Sequence, residues 1–368
     1  MNEPHGVSIV VVNYNNGRYL AAAIDSALAQ DHPLCEVIVV DDCSTDDSRA
    51  IIAGYGDRLR PILQEVNRGQ IAALNDAWPL ARHSILIFLD SDDLLLPRAA
   101  ATFSGLWSER TAKAQAQFVS IDQSGRRLGH ISPKYPPDLD TITIRNQILR
   151  TGGSPNVAGS GNAYSRRLLE RIEADGGFRL DSPRDISMDA ILECNAPFYG
   201  EVVTIYEPLA CYRIHDSNDS MQTNISVARF DKMSRYFDYK LDYLERRCAF
   251  WGIAFDKGEI RSRSIWQLEC RLAADRLAIV KHPASEPVWR TLGHALKASL
   301  DEPGPAPRRM LRAVWFLGVG LAPRRIARRL IEYRFAVTRR PRRLERLIAS
   351  LLERRYSTRT GARNQVTS

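Results

Sequence analysis

An α/β fold, with helices on both faces of a mainly parallel sheet and a mainly helical C-terminal extension, is predicted by three observations. Continuous β-branched runs recur in the first hundred residues, each ending in a cluster of polar, turn-forming residues. Stretches with apolar residues at helical spacing separate those runs. Beyond about residue 225 the pattern turns helical and charged.

The first run, "VSIVVVNYN" (Val7 to Asn15), reads as a strand buried on both faces, and "CEVIVVDDCSTDD" (Cys35 to Asp47) repeats it. Between them "GRYLAAAIDSALAQ" (Gly17 to Gln30) sets Leu20, Ile24, Ala27 and Leu28 at helical spacing, which makes a strand, helix, strand unit of the length of a parallel crossover. A second helix is expected with Ser44 or Thr45 as its N-cap. A short strand over "RPILQE" (Arg60 to Glu65), a helix from about Gly69 to Ala81 and a fourth strand in "ILIFLDSDDLLLP" (Ile85 to Pro97) follow. Ligands of such sheets sit beyond the carboxyl ends of the strands. The polar clusters fall at those ends: Asn13, Tyr14 and Asn15; Asp41 and Asp42; Asp90, Asp92 and Asp93.

From about Gln117 the elements read as shorter and looser. The Gly- and Pro-rich "TGGSPNVAGSGNAYSRR" (Thr151 to Arg167) leads into a helix, and "YGEVVTIYEPLACYRIH" (Tyr199 to His215) alternates strand and turn. "RFDKMSRYFDYKLDYLERRCAFWG" (Arg229 to Gly252) is helical, and "DEPGPAPRR" (Asp301 to Arg309) reads as a linker. The expected organisation is residues 1–222 as the α/β domain, 223–302 as a helical region and 303–368 as an Arg-rich amphipathic tail.

A chain of 368 residues, 44% hydrophobic and 26% charged, has room for one large core and an appendage. The six cysteines are scattered without metal-site spacing, which favours a reducing compartment and thiols with no metal role. The start "MNEPHGVSIVVV" lacks signal-peptide features, so a cytoplasmic location is expected. The best apolar window, "AVWFLGVGLAP" (Ala313 to Pro323), is about half of a bilayer span. Net charge is +8, but 17 Arg and 3 Glu from Pro303 onward carry about +14, leaving about −6 on the first 302 residues. That mildly acidic body argues against a nucleic-acid surface. In the tail, Val314, Trp315, Phe316, Leu317, Leu330 and Ile331 lie among Arg pairs, which predicts a peripheral contact with an anionic membrane surface; a solvated helix face is the plainer reading.

The end of the fourth strand poses the chemical question. Three carboxylates within four positions, at the edge of an apolar core, need a cation to compensate them, and a basic side chain or a metal ion would both serve. Here the residues carry a resemblance. "VSIVVVNYNNGRYLAAAIDSALAQ", "EVIVVDDCSTDDS", "NRGQIAALNDA" and "ILIFLDSDDLLLP", in this order, resemble the nucleotide-sugar domain of family 2 glycosyltransferases over roughly residues 5 to 220.

The resemblance implies a GT-A type, Rossmann-like mixed sheet and an inverting, metal-dependent transfer from a nucleotide-sugar, UDP-type donor to a hydroxyl of a glycan or lipid-linked acceptor in cell-surface polysaccharide synthesis. It implies nucleotide contacts at Asn13, Tyr14, Asp42, Arg68 and Asp90, with Asp42 on the uracil ring and Tyr14 against it. Asp90 and Asp92 match the family's Asp-x-Asp motif, and with His215 of "YRIH" they would hold Mg²⁺ or Mn²⁺ against the diphosphate. Strand-end solvation or helix capping would explain the same carboxylates without a ligand. The sequence departs from the family at Val12 and Asn13, where Pro-Thr is common, and it lacks the Glu-Asp pair that carries the base. In "DSPRDISMDAILE", Asp185 and Asp189 are four apart on one helix face; by its distance from "EPLACYRIH", Asp189 is the first candidate for the base and Asp185 the second. A non-catalytic scaffold that keeps this fold and docks on membrane or nucleic acid through the basic tail is the rival reading.

Overall fold

The computed structural model describes residues 5–157, 159–179, 186–215, 225–278, 287–302 and 305–335. Two compact units divide the chain: the described parts of 1–215 with 236–257, and of 216–235 with 258–368. The boundary does not follow the expected one at residue 222, because the later part of the long helix, from residue 236, and the segment after it to residue 257 pack with the first unit.

The first unit is built on a nine-stranded mixed sheet. Its parallel half is β1 (Val7–Asn13), β2 (Cys35–Asp41), β3 (Arg60–Leu63) and β4 (Ile85–Asp90), connected by helices α1 (Gly17–Leu28), α2 (Ser48–Ala53) and α3 (Gln70–Ala77). β1 lies between β2 and β4, so it is covered on both edges and both faces, and Val7, Ile9, Val10 and Val11 are fully buried. Leu20, Ala23, Ile24 and Ala27 of α1 close one face over it. Register does the functional work here: Asn13 pairs with Asp41 and Val12 with Asp90, so the polar strand ends lie level. The α2 cap differs from expectation. Ser44 and Thr45 bond back to the loop after β1, and the helix starts later, at Ser48.

The rest of the sheet is added by β5 (Leu94–Leu95), β6 (Thr111–Ile121), β7 (Arg127–Ser132), β8 (Asn162–Ser165) and β9 (Glu201–Arg213). The order is β3-β2-β1-β4-β8-β6-β9-β5, with β7 on β6. β8 runs antiparallel to β4, which delivers the turn Gly159–Gly161 to the end of β4 where Asp90 lies. β9 runs parallel to β6 and pairs Ala210 and Cys211 with β5, which returns Arg213 to Asp92 and Asp93. The looseness expected after Gln117 gives way to two long strands. β6 was obscured by its Ala, Lys and Gln content, and β9 runs unbroken through Pro208 with register shifts against β6. α4 (Ala99–Gly105), α5 (Thr141–Thr151), α6 (Arg166–Ala174) and α7 (Met188–Tyr199) cover the sheet.

The chain then enters α8 (Val227–Phe250) and α9 (Lys257–Arg263). In the second unit α10 (Ile265–Leu277), α11 (Val288–Asp301), α12 (Ala306–Leu321) and α13 (Arg324–Phe335) pack around Phe230, Leu268, Leu272, Phe316, Val319 and Ile331. This corrects the expected membrane-facing set: Phe316 and Ile331 are core, Trp315 and Leu330 are packed against it, and only Val314 and Leu317 face outward. All six cysteines are free thiols. Among the described residues no helix is long and apolar enough to cross a membrane.

Candidate active site

The site grows from the loops beyond β1, β2 and β4. Asn13 is fully buried, and its Nδ2 donates to Asp41 Oδ1 at 2.8 Å and to Ser44 Oγ at 3.1 Å. It therefore frames the loop. Asp41 also accepts from the Ser44 N–H and Arg49 Nε; burial pushes its carboxyl up, and the bonds from Ser44, Asn13 and Arg49 outweigh that and hold it low. Tyr14, next in the chain, is half-exposed.

Asp42 accepts the backbone N–H groups of Arg68 and Gly69, both at 2.8 Å. Gly69 has φ +87°, a conformation in which glycine is unstrained, and this lets two successive N–H groups turn toward one carboxylate. The next residue, Gln70, donates from Nε2 to Asp90 Oδ1 at 3.1 Å. Residues 68–70 thus tie Asp42 to Asp90. The Arg68 guanidinium is spent on Asp76 and is half-exposed. Gln70 was invisible in the sequence because a glutamine at the start of a helix carries no signature.

At the end of β4 the three expected carboxylates separate in role. Asp93 is buried; its Oδ2 accepts Ser160 Oγ at 2.7 Å and its Oδ1 accepts the Arg213 N–H at 2.9 Å. It ties β4, the Gly159–Gly161 turn and β9 together. Asp92 Oδ2 lies 3.0 Å from His215 Nε2, and the Asp92 carbonyl accepts Arg213 Nε at 2.7 Å. The His215 ring packs 5.0 Å from that of Tyr19, and the Arg213 guanidinium sits over the same ring at 4.7 Å. The Arg213 guanidinium donates to the carbonyls of Asp92, Asp122 and Gln123.

Asp189 joins this group from α7. Ser187 caps the helix by accepting the Ala190 N–H, and Asp189 lies in its first turn. Gly159 records how close the carboxylates come: a Cβ there would lie 3.0 Å from Asp90 Oδ2 and 3.1 Å from Asp189 Oδ2. Burial pushes the Asp189 carboxyl up to about 6, opposed by the charge of Lys113 and by the Gly159 N–H. Asp90 is pushed well above its usual range by burial and then by the like charges of Asp189, Asp92 and Asp93. Asp185 lies outside the described residues.

Behind Asp189 runs a buried polar layer that the sequence did not disclose. Lys113 on β6 is 2% exposed and donates to Gln115 Oε1 at 3.1 Å and Asn156 Oδ1 at 2.6 Å. Glu193, one helical turn beyond Asp189, accepts the Ser154 N–H and Oγ and pairs with Lys240 Nζ of α8 at 2.6 Å. The spacing of Asp189 and Glu193 was a usable signal; Lys113, in an Ala- and Gln-rich strand, gave none. A separate cavity of about 390 Å³ lies at the starts of β6 and β9, lined by Arg110, Arg167, Arg171 and Tyr199, away from these carboxylates.

The donor set at the strand ends fits a hard divalent cation in its chemistry: oxygen ligands, with burial and the like charges of its neighbours raising the proton affinity of Asp90. The expected triad of Asp90, Asp92 and His215 is only partly in contact. His215 meets Asp92, Asp90 turns one oxygen to Gln70, and among the described residues no three such side chains stand at ligand spacing.

Comparison with known proteins bears on the family and the fold. The family model described as Glycosyl transferase family 2 matches residues 8–173. An uncharacterized glycosyltransferase of Nostoc sp. is 34% identical over 286 residues, covering 71% of this chain and 84% of that protein. The succinoglycan biosynthesis protein ExoO of Rhizobium meliloti is 31% identical, over 81% of this chain and 82% of its own length. Among solved structures, S. aureus TarS in complex with UDP-GlcNAc aligns with TM-score 0.52 at 16% identity, covering 89% of this chain and 91% of its own. The mannosyltransferase PcManGT from Pyrobaculum calidifontis, in complex with GDP-Man and Mn²⁺, aligns with TM-score 0.50 at 19% identity, covering 92% and 87%. At these identities the two structures establish the shared GT-A fold alone.

Proposed function

The chain belongs to glycosyl transferase family 2 and is a glycosyltransferase, and from that premise we propose that it transfers a sugar, with inversion, from a nucleoside-diphosphate donor to a hydroxyl of a growing glycan or lipid-linked acceptor in polysaccharide synthesis. The observation that carries the proposal is the approach of Asp90 and Asp189 to the same point beside Gly159, each with an oxygen about 3 Å from where a Cβ on that residue would stand, with burial pushing the Asp189 carboxyl up to about 6. A general base is most effective when its pKa is near the working pH.

In this reading Asp189 takes the proton of the acceptor hydroxyl as that oxygen attacks the anomeric carbon opposite the leaving diphosphate. Asp42 keeps acceptor capacity on both oxygens for the N–H of a base, since an ionised carboxylate has about four acceptor sites and two are used by Arg68 and Gly69. Tyr14 offers an exposed ring for the base to stack on. Asp90 and Asp92, with His215, would hold Mg²⁺ or Mn²⁺. Such an ion, when bound, neutralises the negative charge that develops on the departing diphosphate without a proton. A relative named for succinoglycan biosynthesis supports a polysaccharide role. Structural neighbours solved with UDP-GlcNAc and with GDP-Man and Mn²⁺ support a nucleotide-sugar donor and a divalent ion.

The test is a thermal-shift panel of UDP- and GDP-sugars with and without Mn²⁺, because a ligand that binds only the folded form raises the melting temperature. One nucleotide sugar is expected to stabilise the protein in a Mn²⁺-dependent way, and Asp92→Ala to abolish that dependence. Nucleotide affinity that is the same with and without Mn²⁺ in the wild type would sink the metal assignment.

A further inference from the structure

The second unit carries an apolar surface that no part of the transfer reaction uses. α12 has two apolar faces. One, with Phe316, Val319 and Gly320, is buried in the unit. On the other, Met310, Leu311, Val314, Leu317 and Leu321 are 63%, 53%, 61%, 39% and 72% exposed. Met310, Val314, Leu317 and Leu321 follow the i, i+4, i+7, i+11 spacing of a single helix stripe, about 17 Å long at the helical rise. Leu300, at the end of α11, is also exposed, and its carbonyl accepts Arg309 Nη1 of α12 at 2.9 Å, which sets it beside the start of the stripe. Isolated exposed leucines are ordinary, but a continuous stripe along one helix marks a contact surface.

The charge around the stripe selects the partner. Residues 305–335 hold eight Arg against one Glu, a net charge of +7. Arg308 precedes the stripe and Arg324, Arg325, Arg328 and Arg329 of α13 follow it, all of them exposed. A second copy of this chain would set five exposed arginines against five. Residues 336–368 are a poor cover for the same reason, since they hold nine Arg and two Glu. Nucleic acid would satisfy the arginines and leave the stripe in water. An anionic bilayer satisfies both: the apolar stripe enters the boundary between headgroups and acyl chains while arginines on long stems stay among the phosphates.

We propose that the outer face of α12, with the exposed arginines of α12 and α13, docks in the plane of an anionic lipid surface. The inference stands on the second unit alone and is independent of the donor and acceptor assigned above.

Flotation of the full chain with vesicles of phosphatidylcholine, or of phosphatidylcholine with phosphatidylglycerol, tests it. The protein is expected to float with the anionic vesicles and not with the neutral ones, and to be released as salt rises. Val314→Glu combined with Leu317→Glu changes two exposed positions, so its melting temperature should match the wild type while its partition falls by roughly tenfold or more. Replacing Arg324, Arg325, Arg328 and Arg329 by Gln should lower the partition onto anionic vesicles by about the same factor or more. Three results would overturn the proposal. One is equal flotation with neutral and anionic vesicles, or none with either. Another is unchanged binding by the glutamate variant. The third is a wild-type dimer, by light scattering, that the glutamate variant converts to monomer, which would assign the stripe to a second copy.

Discussion

Gly159→Ala adds one methyl group between the two carboxylates on which the proposed chemistry depends. The added Cβ would stand 3.0 Å from Asp90 Oδ2 and 3.1 and 3.4 Å from the two oxygens of Asp189. The first two contacts are tighter than ordinary packing, so the carboxylates must part by a few tenths of an ångström. Gly159 opens the short turn Gly159–Gly161, so the added methyl acts where that turn meets the two carboxylates. A misplacement of about 1 Å costs catalysis roughly a hundredfold, so a few tenths should cost on the order of tenfold in turnover, about 1.4 kcal/mol of barrier. Gly105→Ala is the control. It ends α4, its Cβ would meet nothing within 4 Å, and it should match the wild type in turnover. The assay is nucleotide release from the donor found in the thermal-shift panel, with melting curves in parallel. Full turnover in Gly159→Ala would refute the claim that Asp90 and Asp189 act on the same substrate.

Two further outcomes follow from the same cluster. Asp189→Asn should preserve the donor's thermal shift and lower turnover by roughly 10²- to 10⁴-fold; in the wild type, turnover should fall as pH drops through about 6, because the protonated carboxyl cannot accept the acceptor's proton. A flat profile down to pH 5 would move the base elsewhere, with Asp185 next in line. Glu193→Gln leaves buried Lys240 without its counter-charge and should cost about 3–5 kcal/mol in urea unfolding at pH 7. Burial pushes the Glu193 carboxyl up, but Lys240 overrides it and holds it below its usual range, so this stability is present above about pH 4.3 and is lost as pH falls further. A variant within about 1 kcal/mol of the wild type would contradict the ion-pair reading.

What the sequence made legible was set by how local the cause is. β1, β2 and β4 were readable because strands buried on both faces need continuous apolar runs, and the strand ends of Asn13, Asp41 and Asp90 were readable because those runs stop there. The α2 start was misread because Ser44 and Thr45 have the chemistry of caps, and only the loop after β1 decides that their partner is Asn15. β6 was missed because Lys113 and Gln115 are buried in it, and their burial is tolerated only through Asn156, Pro155 and Thr204, which are distant in the chain. The contact between Asp92 and His215, 123 positions apart, could be suggested only by resemblance. Asp42 was expected to serve a nucleotide, and the structure adds a local duty, holding residues 68 and 69 in place.

Among the described carboxylates around Gly159, the distribution of positive charge favours Asp189 as the proposed base. Glu193 has Lys240 at 2.6 Å and is held ionised, too weak a base to take a proton near neutrality. Asp93 is pushed up by burial and by Asp92, but its oxygens are committed to Ser160 and Arg213, so it serves as a tie. Asp90 and Asp92 repel each other and are discharged best by an added cation. Asp189 is the intermediate case. Lys113 offsets part of its burial, yet the Lys113 ammonium bonds to the neutral Gln115 and Asn156, and burial pushes its own pKa down to about 8. A full ion pair would pull the Asp189 carboxyl toward the bottom of its range and make it a poor base. A lysine held one step away, by amides, leaves it near 6, where a carboxylate is both ionised at neutral pH and basic enough to accept a proton in the transition state.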